Sequence, residues 1–386
     1  MAKALDCIVI GGGIVGLSIA RRLAGESLNV GVFEKGACGR EASWAGAGML
    51  APLDPHRKDA LARLNAASRA MYEAFCGSLC EDSGIDPEFH RCGELQLIFD
   101  ENQLRVAKSL EVASPDPEPE GGGGRDFELL SPDQAIAVEP QLAPQIRGAL
   151  LARRAAQIRN PRLMAALKAS CLGRGVEIHE GRPVYALEVD GTRAVGVRIP
   201  DSVVHAKWIV LAAGAWSSQV HPRLAKLIPV YPVRGQIILL KFEKPPLSHI
   251  VSHKKTYVVP RLDGHVLIGA TEEHESGFSH KTSARGISGL IESALRLVPV
   301  LGDAPVEMTW AGLRPGTPDV RPHIGDVPGF DGLVAATGHF RSGLVLAPAV
   351  AEYVASRISG RDYPIDLSAF APGRSMEAAQ PAGPVG

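Results

Sequence analysis

Residues 6–16 read Asp6-Cys7-Ile8-Val9-Ile10-Gly11-Gly12-Gly13-Ile14-Val15-Gly16; a helical pattern then runs to Leu23, and a second apolar run, Val30-Gly31-Val32-Phe33, ends in Glu34. Apolar run, glycine turn, helical stretch and second apolar run make a βαβ unit, and parallel strands of this kind imply a sheet covered on both faces. Gly11, Gly13 and Gly16 occupy the three positions of GxGxxG. The first permits the tight turn, the second lets backbone N–H groups approach a pyrophosphate, and the third lets helix pack on strand. Ile14 and Val15 open the helix whose positive end would face that pyrophosphate. Glu34 follows Gly13 by 34 − 13 = 21 residues, with Lys35 beside it. A carboxylate at this distance accepts from ribose hydroxyls and disfavours NADP, because it repels a 2′-phosphate. NAD and FAD both remain open on these residues alone.

Two further segments decide between them. Arg40 to Pro52, REASWAGAGMLAP, is a small-residue stretch that lets backbone lie flat against a planar ligand. Near the other end, the apolar run Leu333 to Thr337 meets Gly338-His339-Phe340-Arg341-Ser342-Gly343, and a helical pattern follows from Leu344 to about Ile358. Strand, glycine turn and helix again create a helix N-terminus suited to a polar ligand, some 300 residues from the first. A long dinucleotide with two polar ends suits this pair, and FAD fits it.

Composition narrows the remaining classes. The 386 residues carry 41 Lys+Arg against 42 Asp+Glu, a formal charge of −1, so the basic footprint of a nucleic-acid or anionic-membrane binder is missing. No apolar stretch approaches the ~18–20 residues of a spanning helix. Six cysteines (Cys7, Cys38, Cys76, Cys80, Cys92 and Cys171) show no paired CxxC spacing, which disfavours a metal site or a disulfide framework. Reduced thiols and an N-terminus without targeting character lead to the expectation of a cytoplasmic protein.

Between the diagnostic segments, Ala60 to about Leu79 reads as one helix, Pro161 to Leu172 as another, and Trp208 to Ala212 as a buried strand ending in Ala213-Gly214. Val230 to Phe242 and Thr256 to Ala270 read as strands, the latter broken by the turn Leu262-Asp263-Gly264-His265. The expected fold is α/β plus α+β: a discontinuous Rossmann-like FAD-binding domain with an inserted antiparallel β-sheet substrate domain. Residues 1–85, 150–225 and 310–368 are assigned to the first, 86–149 and 226–309 to the second, and 369–386 to a flexible tail. Ser114 to Asp126, SPDPEPEGGGGRD, reads as a mobile surface loop.

The segments Gly11 to Glu34, ASWAGAGMLAP (42–52), PVRGQ (232–236), TYVVPRLDGHVLIGAT (256–271), WAGLRPGT (310–317) and GHFRSGLVLAP (338–348) together resemble the FAD-dependent amino-acid oxidases of the D-amino acid oxidase and sarcosine oxidase family, and within it the thiamine-pathway glycine oxidases. The likeness runs from about Asp6 to Leu367. It implies that Gly11, Gly13, Gly16 and Glu34 bind the ADP half of FAD, with Ile14, Val15 and Lys35 alongside. Ser43, Ala47, Gly48 and Met49 would lie along the pyrophosphate and flavin, and Val184, Ala213 and Gly214 would close the adenine side. Gly338, His339, Phe340, Arg341, Ser342, Gly343 and Leu344 would line the pyrimidine end. Arg314 would pair with a substrate carboxylate, helped by Tyr257, with Arg341 and Met49 near the substrate. Taken alone, Arg314 reads as a turn arginine and Tyr257 as a strand aromatic.

The chemistry agrees with that assignment. A guanidinium fork matches a desolvated amino-acid carboxylate bidentately, and a flavin takes the hydride itself, so no acid/base residue or metal is expected. The activity implied is oxidation of glycine, sarcosine and small D-amino acids such as D-alanine to the 2-oxo acid, ammonia or amine, and hydrogen peroxide, within thiamine (thiazole) biosynthesis. A D-amino acid dehydrogenase reducing a quinone is the alternative. A homo-oligomer, a tetramer by resemblance, is expected. Sarcosine oxidases hold flavin through a cysteine in the C-terminal half; all six cysteines here lie at or before Cys171, so the FAD should be non-covalent.

Overall fold

The structure is a computed structural model, described here for residues 4–114 and 126–376. The fingerprint folds as its residues dictate. The strand Leu5–Ile10 leads through Gly11 into the helix Ile14–Ala24, and Val30–Phe33 follows as a parallel neighbour of the first strand. Gly11 holds φ +107°, and a Cβ there would lie 2.5 Å from the Ala212 carbonyl oxygen; at Gly16 it would lie 2.0 Å from that of Gly11. Neither position admits a side chain, which is why glycine stands at both.

These strands belong to a first sheet in the order His323–Asp326, Leu333–Thr337, Ser202–Leu211, Leu5–Ile10, Val30–Phe33, Glu177–His179. Along this order the pairs are parallel except the first, which is antiparallel; Ser202–Leu211 also pairs antiparallel with Arg193–Ile199, which in turn pairs antiparallel with Ala186–Asp190. Apolar side chains of the helices Ile14–Ala24, Asn160–Gly173 and Gly343–Ile358 pack on one face. The other face is covered by the hairpin Ala186–Asp190/Arg193–Ile199 with Leu224 and Ile228. Both faces are therefore dry, and the polar turns collect at the strand ends.

A second sheet runs Val306–Gly316, Tyr231–Lys241, His265–Gly269, Thr256–Pro260, Ile250–His253, Glu94–Ile98, Gly148–Ala152, Phe127–Leu130. Its pairs are antiparallel save one: Ile250–His253 runs parallel to Glu94–Ile98, because those strands come from separate passages of the chain. Two expected boundaries fall inside its strands. Position 150 lies within Gly148–Ala152, and position 310 within Val306–Gly316, which hydrogen-bonds Tyr231–Lys241 from Tyr231↔Gly316 onward.

Other expectations also change. The single helix expected from Ala60 is two, Ala60–Ala70 and Tyr72–Ser83, meeting at Met71. Residues 370–376, placed in the expected flexible tail, are instead packed: Phe370 is buried, and Arg374 pairs with Asp319 at 2.8 Å, both side chains 11% exposed. Arg374 also bonds His323 Nδ1 at 3.0 Å, so ordered chain continues through residue 376. Residues 115–125, within the expected mobile loop, and 377–386 lie outside the described residues. Among the described residues, no helix is long and apolar enough to cross a membrane, and no cluster of His, Cys, Asp and Glu could hold a metal ion.

Candidate active site

The C-terminal ends of the central parallel strands, at Gly11, Glu34 and Ala212, open into a cavity of about 950 Å³ that the second sheet closes from the opposite side. This is where ligands bind in open parallel sheets. Most of the expected site residues come together there. Gly11, Gly13, Ile14, Val15, Glu34 and Lys35 line one end with Ser43, Val184, Ala213 and Gly214; Ala47, Gly48 and Met49 continue along the wall. His339, Phe340, Arg341, Ser342, Gly343 and Leu344 line the far end, and Tyr257 and Arg314 face the cavity from the second sheet. Gly16 and Gly338 do not line it. Gly16 lies against the Gly11 carbonyl, and a Cβ on Gly338 would meet the Thr317 methyl at 2.6 Å, so both act by letting segments approach.

The pocket suits a long dinucleotide. Glu34, 8% exposed, accepts from the backbone N–H groups of Gly12 (2.8 Å) and Gly36 (3.0 Å), which fixes its carboxylate at the strand end. Ser43 Oγ accepts from Ile14 N at 2.9 Å and so draws the small-residue stretch onto the first helix N-terminus. Gly48, at φ +75°, would carry a Cβ 1.8 Å from the Ile158 carbonyl oxygen. Arg261 pins that stretch from behind by donating to Ala47 O (2.8 Å), Gln157 Oε1 (2.7 Å) and Ile158 O (3.1 Å). The helix Gly343–Ile358 presents the second N-terminus with no side-chain cap. Beside it His339 is buried, its Nε2 is unpaired, and burial holds its imidazole down to about 4, so the ring is neutral. Two helix N-termini on one cavity suit the phosphate and pyrimidine portions of FAD.

Arg314 and Tyr257 define the other wall. Arg314 lies flat over Gly235, where a Cβ would stand 2.3 Å from its Nη1, and donates from that nitrogen to Thr271 O at 3.0 Å. The Tyr257 ring lies over Gly269, where a Cβ would stand 2.4 Å from the hydroxyl. Burial raises the Tyr257 phenol, while Arg314 and Arg341 beside it draw it back. Arg341 is less free than expected for a substrate contact: it is half-exposed and paired with Glu272, which also meets Lys255 at 3.3 Å. None of the six cysteines lines the cavity.

Sequence reading missed several groups. Trp216 receives Lys35 Nζ over its ring at 3.2 Å from the centroid, a cation–π contact at the fingerprint end. Glu94, Gln96 and Ser252 line the cavity beyond Tyr257. The one local signal for Glu94 is a carboxylate inside the otherwise apolar strand Glu94-Leu95-Gln96-Leu97-Ile98.

Comparison with known proteins agrees with this geometry. The profile of the family described as FAD dependent oxidoreductase matches residues 6–357. A glycine oxidase of Pseudomonas aeruginosa is 40% identical over 367 residues, covering 95% of this chain and 98% of that protein. The bifunctional protein ThiO/ThiG of Synechocystis is 31% identical over 389 residues, 99% of this chain and 56% of that protein. The crystal structure of glycine oxidase from Geobacillus kaustophilus superposes with a TM-score of 0.90 at 30% identity, covering 97% of this chain and all of that one. With the profile spanning both sheets and the dinucleotide cavity between them, the chain belongs to the FAD-dependent oxidoreductase family, the D-amino acid oxidase type of flavoenzyme.

Proposed function

We propose that the protein is a glycine oxidase. It oxidises glycine and small amines or D-amino acids, such as sarcosine and D-alanine, to the 2-oxo acid, ammonia or amine, and hydrogen peroxide. The observation that carries this reading is Arg314, a guanidinium held flat on the cavity wall beside the Tyr257 hydroxyl, with no carboxylate partner among the described residues. In that place it matches the carboxylate of an amino acid with two parallel hydrogen bonds. The glycine oxidase relatives support the substrate class, and ThiO/ThiG supports a place in thiamine (thiazole) biosynthesis.

FAD, held non-covalently, supplies when bound the acceptor at flavin N5 for the hydride from Cα and the route of the electrons to dioxygen. The residues of this chain supply position. Arg314 and Tyr257 fix the carboxylate and so orient the Cα–H bond. The apolar wall around Met49, with Ala47, Ile237 and Ala270, keeps bulk water from the reacting carbon. Neutral His339 adds no positive charge next to the amine, which must be unprotonated to react. The oxidised product is an imine, which water hydrolyses to the 2-oxo acid and ammonia or the amine.

Anaerobic mixing of the flavin-loaded protein with glycine, sarcosine, D-alanine and D-proline, followed by air, tests the reading. Glycine is expected to bleach the flavin band, and air to restore it with one peroxide per turnover. Bleaching that air does not reverse would assign a dehydrogenase with another acceptor, such as a quinone. An unbleached band with all four would refute the amine-oxidase reading.

A further inference from the structure

Beyond Tyr257 the wall of the cavity continues along one face of the second sheet. Strand register places Ser252 beside Tyr257 and Gln96 beside Ser252, and Glu94, two residues from Gln96, shares that face. All of these residues line the cavity, and the helix Glu101–Ala113 roofs this end with Gln103, Ala107 and Leu110. Glu94 is 4% exposed. Its Oε1 accepts from Ser252 Oγ at 2.5 Å, while its Oε2 has no partner. Arg69 is near enough for its charge to favour the carboxylate, but it makes no hydrogen bond to it, since its guanidinium nitrogens donate to Leu50 O and Arg154 O.

A buried carboxylate with one oxygen unmatched is costly, and a packing role at this position would be met better by a neutral residue. Burial pushes the Glu94 carboxyl upward, with Ser252, Gln96 and the Arg69 charge acting against it. The Asn65 amide oxygen, on the same cavity, is also buried without a partner. Two unmatched acceptors call for a ligand group that donates, and a cation would also offset the cost of burying the carboxylate. Lys255 is 69% exposed and holds its charge against Glu272, so it belongs to the rim and not to this chamber.

We propose that Glu94 anchors a second substrate subsite, and that the protein accepts amino acids whose side chains end in an ammonium or guanidinium group. The inference rests on the amine-oxidase reading, with the substrate carboxylate at Arg314. From Gly269, under the Tyr257 hydroxyl, to Gln96 in the same register row is three strand steps, about 14 Å at ordinary spacing, and Glu94 lies two residues further along. The hydrogen bond from Ser252 draws its carboxylate back one strand toward Tyr257. A long substrate side chain and the glutamate's own reach span that distance together.

The test compares D-arginine and D-lysine with D-norleucine, an apolar chain of similar length, in the wild-type holoenzyme and in Glu94→Gln and Glu94→Met. Calorimetry of ω-aminooctanoate against octanoate gives a binding readout that requires no turnover. In the wild type the cationic member of each pair is expected to be favoured by on the order of 10- to 100-fold, the range of a charge-assisted hydrogen bond. Both variants are expected to lose that preference. A wild type that favours D-norleucine and octanoate, or variants that keep the cationic preference, would overturn the proposal. Flavin bleaching by glycine in the same wild-type preparation reports the parent reading separately. If glycine, sarcosine, D-alanine and D-proline all fail to bleach while ω-aminooctanoate binds through Glu94, the amine-oxidase reading falls and the subsite stands.

Discussion

Replacing Arg314 with lysine keeps a positive charge on the cavity wall but removes the planar fork. The guanidinium rests on Gly235 and is anchored at Thr271 O, so its remaining N–H groups are fixed in direction before substrate arrives. A lysine ammonium on a flexible stem makes one point contact and loses that preorganisation. We expect Arg314→Lys to lower kcat/KM for glycine on the order of 100-fold, mostly through KM, as steady-state peroxide assays would measure. Equal kcat/KM in the two proteins would remove Arg314 from the substrate site. At this same scale the glycines explain themselves. Gly235 and Gly269 are absent from any dinucleotide motif, yet each is the bed on which a site side chain lies.

At the scale of the element, the helix Gly343–Ile358 carries an internal Pro348, which has no N–H for the Leu344 carbonyl and would ordinarily weaken the helix. Two side chains from the helices Ala60–Ala70 and Tyr72–Ser83 make up the deficit. The Tyr72 hydroxyl donates to Leu344 O. Ser68 Oγ donates to Val345 O at 2.6 Å and accepts from Ala349 N at 3.2 Å, entering the helix ladder between two residues that would otherwise bond directly. The break at Met71 separates these two contributing helices. This stitching holds the N-terminus of the helix, and with it Ser342, Gly343 and Leu344, at the cavity. Tyr72→Phe would leave the Leu344 carbonyl buried without a partner. The expected cost is about 1–3 kcal/mol, read as a lower urea midpoint. An unchanged midpoint would show that Leu344 O finds another donor.

Over the whole molecule, the buried histidines set a dependence on pH. An ordinary imidazole takes a proton near pH 6.5. In the fold, burial holds His339 down to about 4, and burial with the Arg374 charge holds His323 down to about 3. Between 6.5 and those values the unfolded chain binds more protons than the folded one, so stability falls as pH falls through that window and is fully present above it. Asp82 acts separately and lower: its hydrogen bond from Arg174 holds its carboxyl well below the usual range, so its contribution fades only below the ordinary carboxylate value. The thermal midpoint is therefore expected to drop between pH 6.5 and 4.5, before the carboxylates titrate. His323→Asn, which offers an oxygen in place of Nδ1 to Arg374, should flatten that drop. A profile level down to pH 4.5 would contradict the buried neutral histidines.

Much of this molecule was legible in the sequence. The strand, glycine turn, helix and acidic strand end of residues 5–34 are set largely by local sterics, since Gly11 takes φ +107° and a Cβ on Gly16 would strike the Gly11 carbonyl five residues before it. The second glycine turn at 338–343 and the small-residue stretch before Met49 were readable on similar local grounds, and family likeness supplied Arg314 and Tyr257, which no local period distinguishes from a turn arginine and a core aromatic. What only the tertiary structure decided depends on chain segments far apart. Arg374 closes onto Asp319 and His323 after a tail that reads as loose. Ser68 and Tyr72 complete a helix more than 270 residues away. Glu94 reads as a stray charge on an apolar strand until the parallel pairing with Ile250–His253 turns it to the same face as Tyr257. Backbone sterics are local and leave their mark on residue type; a polar group's partner is set by long-range register, which residue type alone does not record.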